Sequence, residues 1–355
     1  MNSGCPDLVA PIQTGTVESC PLCGHSGHVV YQHLTDRAYS VPGDWQIICC
    51  SNCRSGWLNP VPVPKDLPRC YAAGYYTHET PPPPSMGSSK VIAFLRGAVL
   101  SVQKGYEHLR PEGHLVPPIG RLSLLIPAIR RRASFNLGEM VVPYRKGGRL
   151  LEIGCGDGSY LSLMRMLGWT VYGIEPDPMA AEVARAAGCD VHVGTIEDAQ
   201  FEAESFDAVV SHHVIEHVYD PKSFVSSAGR LLTNGGVMVV QTPNFQSLGH
   251  RLFGADTFSL DPPRHLCLFT PTSLRRLFEE SNIFRRVRIT TPTACSRLAF
   301  RRRCAVRETG NFLAEFKPGR RSRWAESLFR AVEASGNAVF HWGEEIQCTA
   351  VKAAL

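Results

Sequence analysis

Three alternating glycines, Gly154, Gly156 and Gly158, are the residues of this 355-residue chain that point most directly to a ligand. They follow a short apolar run, where glycine lets the backbone turn sharply and lets a ligand lie against the main chain. The dinucleotide fingerprint is G-x-G-x-x-G and places a phosphate at a helix start. Here Glu152 precedes the glycines and Asp157 lies between the last two, and both carboxylates would repel phosphate. The pattern favours a ligand with cationic ammonium and sulfonium groups over an ordinary strand-to-helix turn.

A second acid supports the same interpretation. Residues 170–175 form an apolar strand that ends in Glu175, 17 residues after Gly158. This is close to the spacing of a carboxylate that binds both hydroxyls of a ribose. We therefore predict that Glu175 makes that contact.

The order of elements predicts an α/β fold. Further strands are expected at 190–194, 206–211 and 235–244, and helical stretches separate them. Strands alternating with helices of this length imply right-handed βαβ crossovers and a parallel sheet.

The glycine run with its flanking acids resembles the first motif of class I S-adenosylmethionine-dependent methyltransferases. The resemblance implies a Rossmann-like, seven-stranded sheet, with residues 284–290 and 345–352 as the antiparallel sixth and seventh strands. In the family an acid near the end of the third strand contacts the adenine, and Glu197 or Asp198 could take that role here. The cofactor-binding residues predicted on this basis are Glu152, Gly154, Gly156, Asp157, Gly158, Glu175, Glu197, Asp198 and His212.

The exit of the fourth strand carries a cluster of histidines. The run Glu216-His217-Val218 resembles a signature of ubiquinone-type and sugar methyltransferases. Because the carboxyl ends of strands edge the ligand crevice, His212, His213 and His217 should emerge near the methionine end of the cofactor. We expect His212 to line the sulfonium face. His217 is a candidate catalytic residue, although an orienting role in the loop is favoured over proton transfer.

A second histidine lies after the fifth strand, in the run Arg264-His265-Leu266 that leads to Phe269-Thr270. This run also matches the family, in which an insertion here covers the substrate. His265 is our first choice of general base, because imidazole exchanges protons near neutral pH. The alternative is a histidine that caps Thr270 or the helix after it.

Five of the 13 cysteines lie in a pattern typical of a metal site. Cys20 and Cys23 form one C-x2-C pair, and Cys50 and Cys53 form another. Four thiolates leave zinc no open position, so the predicted Zn²⁺ is structural. Cys49 could replace Cys50, and reduced thiols that bind nothing are the alternative.

The segment after the cysteines continues the resemblance. The run Leu58-Asn59-Pro60 and the pair Tyr75-Tyr76 are similar to the four-cysteine module of enzymes that C-methylate deoxysugars on nucleotide carriers. Tyr75 or Tyr76 could touch the substrate or could pack at the domain interface. We predict a zinc-ribbon-like module at 1–80, a Pro-rich linker and helical bridge at 81–140, and the methyltransferase domain at 141–355. Within that domain a lid is expected at about 245–270 and an insert at about 296–343.

Composition adds few constraints. No run of 18 uncharged apolar residues occurs, and the first ten residues do not resemble a secretion signal, so we expect a cytoplasmic protein without a transmembrane segment. The net charge of +5 is modest, and arginines cluster near 130, 286, 302 and 321. Solvated faces explain such clusters best; an anionic substrate, nucleic acid or a membrane surface is the alternative.

Together the patterns predict an S-adenosylmethionine-dependent methyltransferase that acts on oxygen or carbon of a small metabolite of the sugar, nucleotide-sugar or natural-product type. An rRNA methyltransferase with a zinc ribbon and a non-catalytic S-adenosylmethionine-binding protein are the alternatives. Nucleic acid is the less favoured partner, because aromatic residues rarely interleave with the basic ones. The sequence leaves open the acceptor and its reacting atom, the oligomeric state, and the roles of the bridge and the insert.

Overall fold

The computed structural model describes residues 11–71, 84–87, 89–112, 135 and 140–354. The N-terminal part contains five short strands: β1 (Thr14–Gly15), β2 (Gly27–Leu34), β3 (Trp45–Cys50), β4 (Gly56–Asn59) and β5 (Val61–Pro62). Helix α1 (Lys90–Lys104) follows, with Ser89 as its N-cap and Gly105 at its C-terminal end.

A seven-stranded sheet forms the centre of the remaining chain. Its strands are β6 (Arg149–Ile153), β7 (Thr170–Glu175), β8 (Asp190–Val193), β9 (Phe206–His212), β10 (Leu232–Pro243), β12 (Phe284–Thr290) and β13 (Glu345–Lys352). The strand order is β12-β13-β10-β9-β6-β7-β8. The five strands from β6 to β10 run parallel, and β13 pairs antiparallel with both β10 and β12. The predicted fold class and seven-stranded sheet are confirmed.

Helices lie between the strands along the chain. They are α2 (Ser159–Met166), α3 (Pro178–Ala186), α4 (Pro221–Leu231), α5 (Leu248–Phe253), α6 (Pro271–Glu280), α7 (Ser296–Thr309) and α8 (Arg320–Phe340). Helices α3, α4 and α6 begin alike. In each, an Asp or Thr side chain accepts a backbone N–H bond and proline occupies the first turn, where its missing N–H costs nothing.

Two hydrophobic layers pack on opposite faces of the sheet because neighbouring strand residues point to opposite sides. Leu150 of β6 packs in a layer with α1, α2 and α3. Leu151 and Ile153 pack in the other layer with α4 and α6. The second layer continues into the N-terminal part through Cys50 and Trp57, so the two parts share one core.

A second sheet joins the N-terminal part to the predicted lid. Its order is β11-β4-β3-β2, and β11 (Cys267–Leu268) comes from the segment that follows β10. Cys267 pairs with Trp57 and Leu268 pairs with Gly56. The segment predicted as a lid therefore contributes the edge strand β11 to the sheet of the N-terminal part.

Some sequence predictions concern residues that lie outside the described ranges. The pair Tyr75-Tyr76 lies outside the described residues, and so do residues 113–134 of the predicted bridge and parts of the chain around the boundaries at 80 and 140. Helices α7 and α8 both lie within the insert expected at about 296–343. Within the described ranges, none of the helices combines the length and the apolar character needed to cross a membrane.

Candidate cofactor and substrate site

The glycine loop makes a tight turn between β6 and α2. Gly154 has a φ of +74°, and a Cβ at this position would collide with Cγ2 of Val214. The N–H groups of Gly154 and Cys155 both donate to the carbonyl of Ile174, at 2.8 and 3.0 Å. Only glycine satisfies both the backbone angle and the close approach. The loop therefore lies directly between the end of β7 and the segment after β9.

Glu175 closes the other side of this loop. Its carboxylate is buried at the end of β7, where Oε2 accepts from the N–H of Gly156 at 2.8 Å and Oε1 accepts from the N–H of Asp177 at 3.0 Å. A carboxylate oxygen can accept more than one hydrogen bond. The predicted ribose-binding acid thus lies against the middle glycine of the loop.

Glu152 is the least compensated acid of this region. Its side chain is 3% exposed, and its Oε2 has no hydrogen-bond partner. Burial, followed by the charges of Glu175 and Asp157, raises the pKa of Glu152 well above its ordinary value. A buried carboxyl without a partner is unfavourable on its own, and a cationic ligand group beside it would relieve that cost. These carboxyl groups fit a ligand that carries ammonium and sulfonium groups.

The remaining predicted acids lie at turns. Oδ1 of Asp157 accepts from the N–H of Ser159 at the start of α2, at 2.9 Å. Glu197 and Asp198 are exposed in the turn after β8. Oδ2 of Asp198 accepts from both the N–H and the hydroxyl of Thr195, at 3.1 and 2.9 Å, which shapes that turn.

A buried ion network follows the fourth parallel strand. Nδ1 of His213 lies 3.1 Å from Glu216, and Nε2 lies 3.0 Å from Glu345 of β13. Burial opposes the charged form of this histidine, but the two carboxylates raise its pKa to about 10. Burial likewise opposes ionisation of Glu216 and Glu345, yet His213 lowers the pKa of each to about 2. Thr242 adds a hydrogen bond to Glu216 at 2.9 Å.

His265 and His217 come together beside this network, with ring centroids 4.8 Å apart. Nδ1 of His265 lies 2.8 Å from the carbonyl of Ser259, so it carries the hydrogen and Nε2 holds the lone pair. That Nε2 is 4.0 Å from Glu216 and 3.9 Å from Asp261. The start of α6 is capped by Thr270 and Ser273 through reciprocal bonds that do not involve His265.

His217 and His212 are held differently. Nδ1 of His217 lies 2.9 Å from the carbonyl of Arg264 and 3.1 Å from the hydroxyl of Tyr71. Burial, then the neighbouring His265, lowers the pKa of His217 to about 4. His212 ends β9 with its ring 4.6 Å from that of His213, and burial lowers its pKa to about 4. Both side chains are therefore neutral at physiological pH.

Arg264 joins the lid to the N-terminal part and was not singled out from the sequence. Its guanidinium is fully buried and binds both carboxylate oxygens of Asp36 at 2.8 Å. It also binds Asp261 at 2.9 and 2.6 Å and the carbonyl of Cys70 at 3.0 Å. No spacing pattern connects Asp36 with Arg264, which lie 228 positions apart. Glu216 belongs to the signature next to His217, whereas nothing in the sequence pointed to Glu345.

The four cysteines of the two C-x2-C pairs converge. All four Sγ atoms lie within 4.8 Å of one another, with Cys20 to Cys53 at 3.6 Å and Cys23 to Cys50 at 3.5 Å. Zn–S bonds of about 2.3 Å in a tetrahedron put sulfurs roughly 3.8 Å apart, so this set fits zinc. Cys49 precedes Cys50 on β3 and points to the other side, with Sγ near the carbonyls of Cys50 and Arg54. It does not belong to the cluster.

Comparisons with known proteins agree with this geometry. Residues 127–283 match a family model described as "Methyltransferase domain". The ubiquinone biosynthesis O-methyltransferase of Methylocella silvestris is 37% identical over 119 residues, which cover 31% of this chain and 46% of that protein. The protein of the same name from Ruegeria sp. is 33% identical over 149 residues, covering 39% and 60%.

The first of these relatives is therefore matched over about half its length. Among solved structures, phosphoethanolamine N-methyltransferase 2 of Haemonchus contortus, in complex with S-adenosyl-L-methionine, aligns with a TM-score of 0.44 and 18% identity, over 63% of this chain and 53% of that one. The segment that matches the family model, 127–283, carries the glycine loop. The chain therefore matches a methyltransferase domain over residues 127–283.

Proposed function

We propose that this chain transfers a methyl group from S-adenosylmethionine to oxygen or carbon of a small metabolite, of the sugar, nucleotide-sugar or natural-product type. The observation that carries the proposal is the position of Val214 between the glycine loop and the histidine-bearing turn. This residue contacts the glycine loop at Gly154 and begins the turn that holds Glu216 and His217. A ligand on the loop and an acceptor beside the histidines would share one crevice.

The chain's own groups account for recognition of the cofactor. Glu175 would bind the ribose hydroxyls, and Glu152 would favour the ammonium group through its buried carboxyl. Glu197 or Asp198 would contact the adenine, and His212, neutral at the end of β9, would line the sulfonium face. S-adenosylmethionine, when bound, supplies an electrophilic methyl group.

His265 is the proposed general base. Its Nδ1–H is committed to Ser259, which leaves the Nε2 lone pair to accept the acceptor's proton. The carboxylate of Glu216, 4.0 Å away, would stabilise the imidazolium that forms. His217 would orient the lid through Arg264, since a pKa of about 4 makes it a weak base at neutral pH.

The four thiolates would hold a structural zinc. Cys20, Cys23, Cys50 and Cys53 offer a complete tetrahedral set, so the metal would fix the module rather than take part in chemistry. Because β4 of this module pairs with β11, the zinc would also support the strand that leads from His265.

An acceptor screen tests the proposal. The full chain is incubated with methyl-labelled S-adenosylmethionine and with separate small-molecule and RNA fractions of a cell extract. Label appearing in small molecules is the expected result. Label in RNA would identify the rRNA enzyme instead. Cofactor binding without a labelled product in any fraction would identify a binding protein and overturn the proposal.

A further inference from the structure

Helix α8 presents an outer face that has no charged residue over most of its length. Trp324, Leu328 and Val339 are 72%, 66% and 71% exposed. The exposed positions after Arg323 on this helix are Trp324, Ala325, Ser327, Leu328, Ala331, Val332, Ala334, Ser335, Ala338, Val339 and Phe340. They cover about half of the helix circumference at 100° per residue. Such a wide apolar face on a surface helix indicates an interaction site.

The acids of α8 are turned away from this face. Glu326 is buried and binds Arg297 and Arg301 of α7, each at 2.9 Å, and Glu333 is buried against Ser296. Arg320, Arg321 and Arg323 are exposed at the start of the helix. The insert at 296–343 holds ten basic and four acidic residues, so its charge of +6 exceeds the +5 of the whole chain.

The helix is firmly attached to the protein on its inner side. Phe329 stacks on Phe253 of α5, with centroids 5.3 Å apart, and lies 5.8 Å from Phe300 of α7. Oδ1 of Asn337 accepts from the hydroxyl of Thr291 and the N–H of Gly343, at 2.8 and 2.7 Å. The apolar face is therefore held outward by a packed inner face.

We propose that the outer face of α8 docks this protein on the surface of a membrane that contains anionic lipid. The helix would lie in the plane of the interface, with Trp324, Leu328 and Val339 entering the boundary between headgroups and acyl chains. The three arginines at its start would contact lipid phosphates. Charge favours this occupant over a second copy of the chain, because in a symmetric pair the arginines would find no exposed acid of α8 to meet.

Vesicle binding of the full chain tests the proposal. Vesicles of phosphatidylcholine with about a third phosphatidylglycerol should sediment the protein, and phosphatidylcholine alone should sediment much less. Replacing Arg320, Arg321 and Arg323 together by alanine should weaken binding about a hundredfold, since each arginine near the surface contributes about fivefold. Leu328→Asp should weaken it at least about tenfold. Val91→Asp, at a 67% exposed position of α1, is the matched control and should bind as the parent does.

Fluorescence locates the contact. Brominated lipid should quench tryptophan emission of the bound protein, and Trp324→Phe should remove most of that quenching. Cofactor affinity of each variant verifies that the fold is intact. Equal sedimentation with and without phosphatidylglycerol, or quenching that persists in Trp324→Phe, would overturn the proposal. So would an absence of vesicle binding together with a dimer that Leu328→Asp dissociates, which would assign the face to a second copy.

Discussion

At the residue scale, the site combines acids that differ in how well they are compensated. Glu175 is bonded to two backbone N–H groups, whereas Glu152 lies buried with an unpaired oxygen. A cationic group placed beside them would be attracted to Glu175 and would favour the ionised form of Glu152, whose pKa burial raises. Flanking side chains as well as backbone shape therefore distinguish this loop.

Glu175→Ala should weaken binding of S-adenosylmethionine by roughly 2–4 kcal/mol, because it removes two charge-assisted hydrogen bonds to the ribose. Gly156→Val should weaken it as well, since Gly156 has a φ of +52° that a β-branched residue rarely adopts. Titration calorimetry measures both. Glu182→Ala, at an exposed position of α3, is the control. Unchanged affinity in both loop variants, or tighter binding of NAD, would refute the cofactor assignment.

His265→Ala should leave cofactor affinity intact and lower turnover by about 10²–10⁴-fold, a range typical of a lost general base. His217→Ala should lower it less, because burial already holds the pKa of His217 at about 4. The relative turnover of the two variants separates the two roles. A larger loss in His217→Ala than in His265→Ala would assign the base to His217, and unchanged turnover in both would mean that positioning alone carries the reaction.

Sequence patterns could locate those residues whose positions depend on local spacing. The glycines and Glu175 follow strands at fixed intervals, and the cysteines form two short pairs. Asp36, Arg264 and Glu345 were missed because each depends on a partner from a distant element. Contacts of that kind depend on the tertiary arrangement, which short-range spacing of residues in the sequence does not encode.

At the scale of elements, the module and the lid are one unit. Strand β11 pairs with β4, and β3 beside it ends in Cys50 of the four-cysteine cluster. Alternation along β3 also explains which neighbouring cysteine joins the cluster, because Cys49 and Cys50 must point to opposite sides. The sequence left that choice open, and strand geometry resolves it.

The purified protein should hold one zinc, and Cys23→Ser should lose it and unfold the module, because metal binding and folding are coupled in small modules. Cys49→Ser is the matched control and should retain full zinc, since its sulfur lies outside the cluster. Metal analysis of protein prepared without chelator measures the content. Full occupancy in Cys23→Ser, or less than about half an equivalent in the parent, would contradict a four-thiolate site.

The buried pair of Asp36 and Arg264 should be costly to break. Asp36→Asn should lower the free energy of unfolding by roughly 3 kcal/mol, because it removes one carboxylate from a fully buried guanidinium. Asp44→Asn, an exposed residue of the same part of the chain, is the control and should have little effect. Denaturant unfolding measures both. A similarly small effect at both positions would show that Asp261 alone satisfies Arg264.

At the scale of the whole molecule, one core and one ion network connect parts distant in sequence. Trp57 and Cys50 pack in the same layer as β6, α4 and α6. His213 links the turn after β9 to β13, which enters the sheet only after the insert that contains α7 and α8. Shared packing and hydrogen bonds therefore connect the N-terminal part, the turn after β9 and the last strand of the sheet.

This network predicts how stability responds to pH. The groups that face His213 are Glu216, Glu345 and His212, and Cys295 also contacts Glu345. In the unfolded chain a histidine loses its proton near pH 6.5, whereas folded His213 keeps it up to about pH 10. Its contribution is therefore complete below pH 6.5 and is lost as the pH rises toward 10. The carboxylates behave in the opposite way, because their folded pKa of about 2 makes their contribution complete above about pH 4.5 and lost in acid.

Histidine NMR of the folded protein measures the central value directly. The His213 resonance, assigned by its absence in His213→Gln, should still show a protonated ring at pH 8, while His212 and His217 are neutral there. The free energy of unfolding should decrease from pH 7 toward pH 10 by more in the parent than in His213→Gln. His33→Gln is the control and should behave as the parent does, since of these two histidines only His213 lies between two buried carboxylates. A His213 ring that titrates near pH 6.5 would show that Glu216 and Glu345 are not both ionised, and the network would then hold the turn by neutral hydrogen bonds.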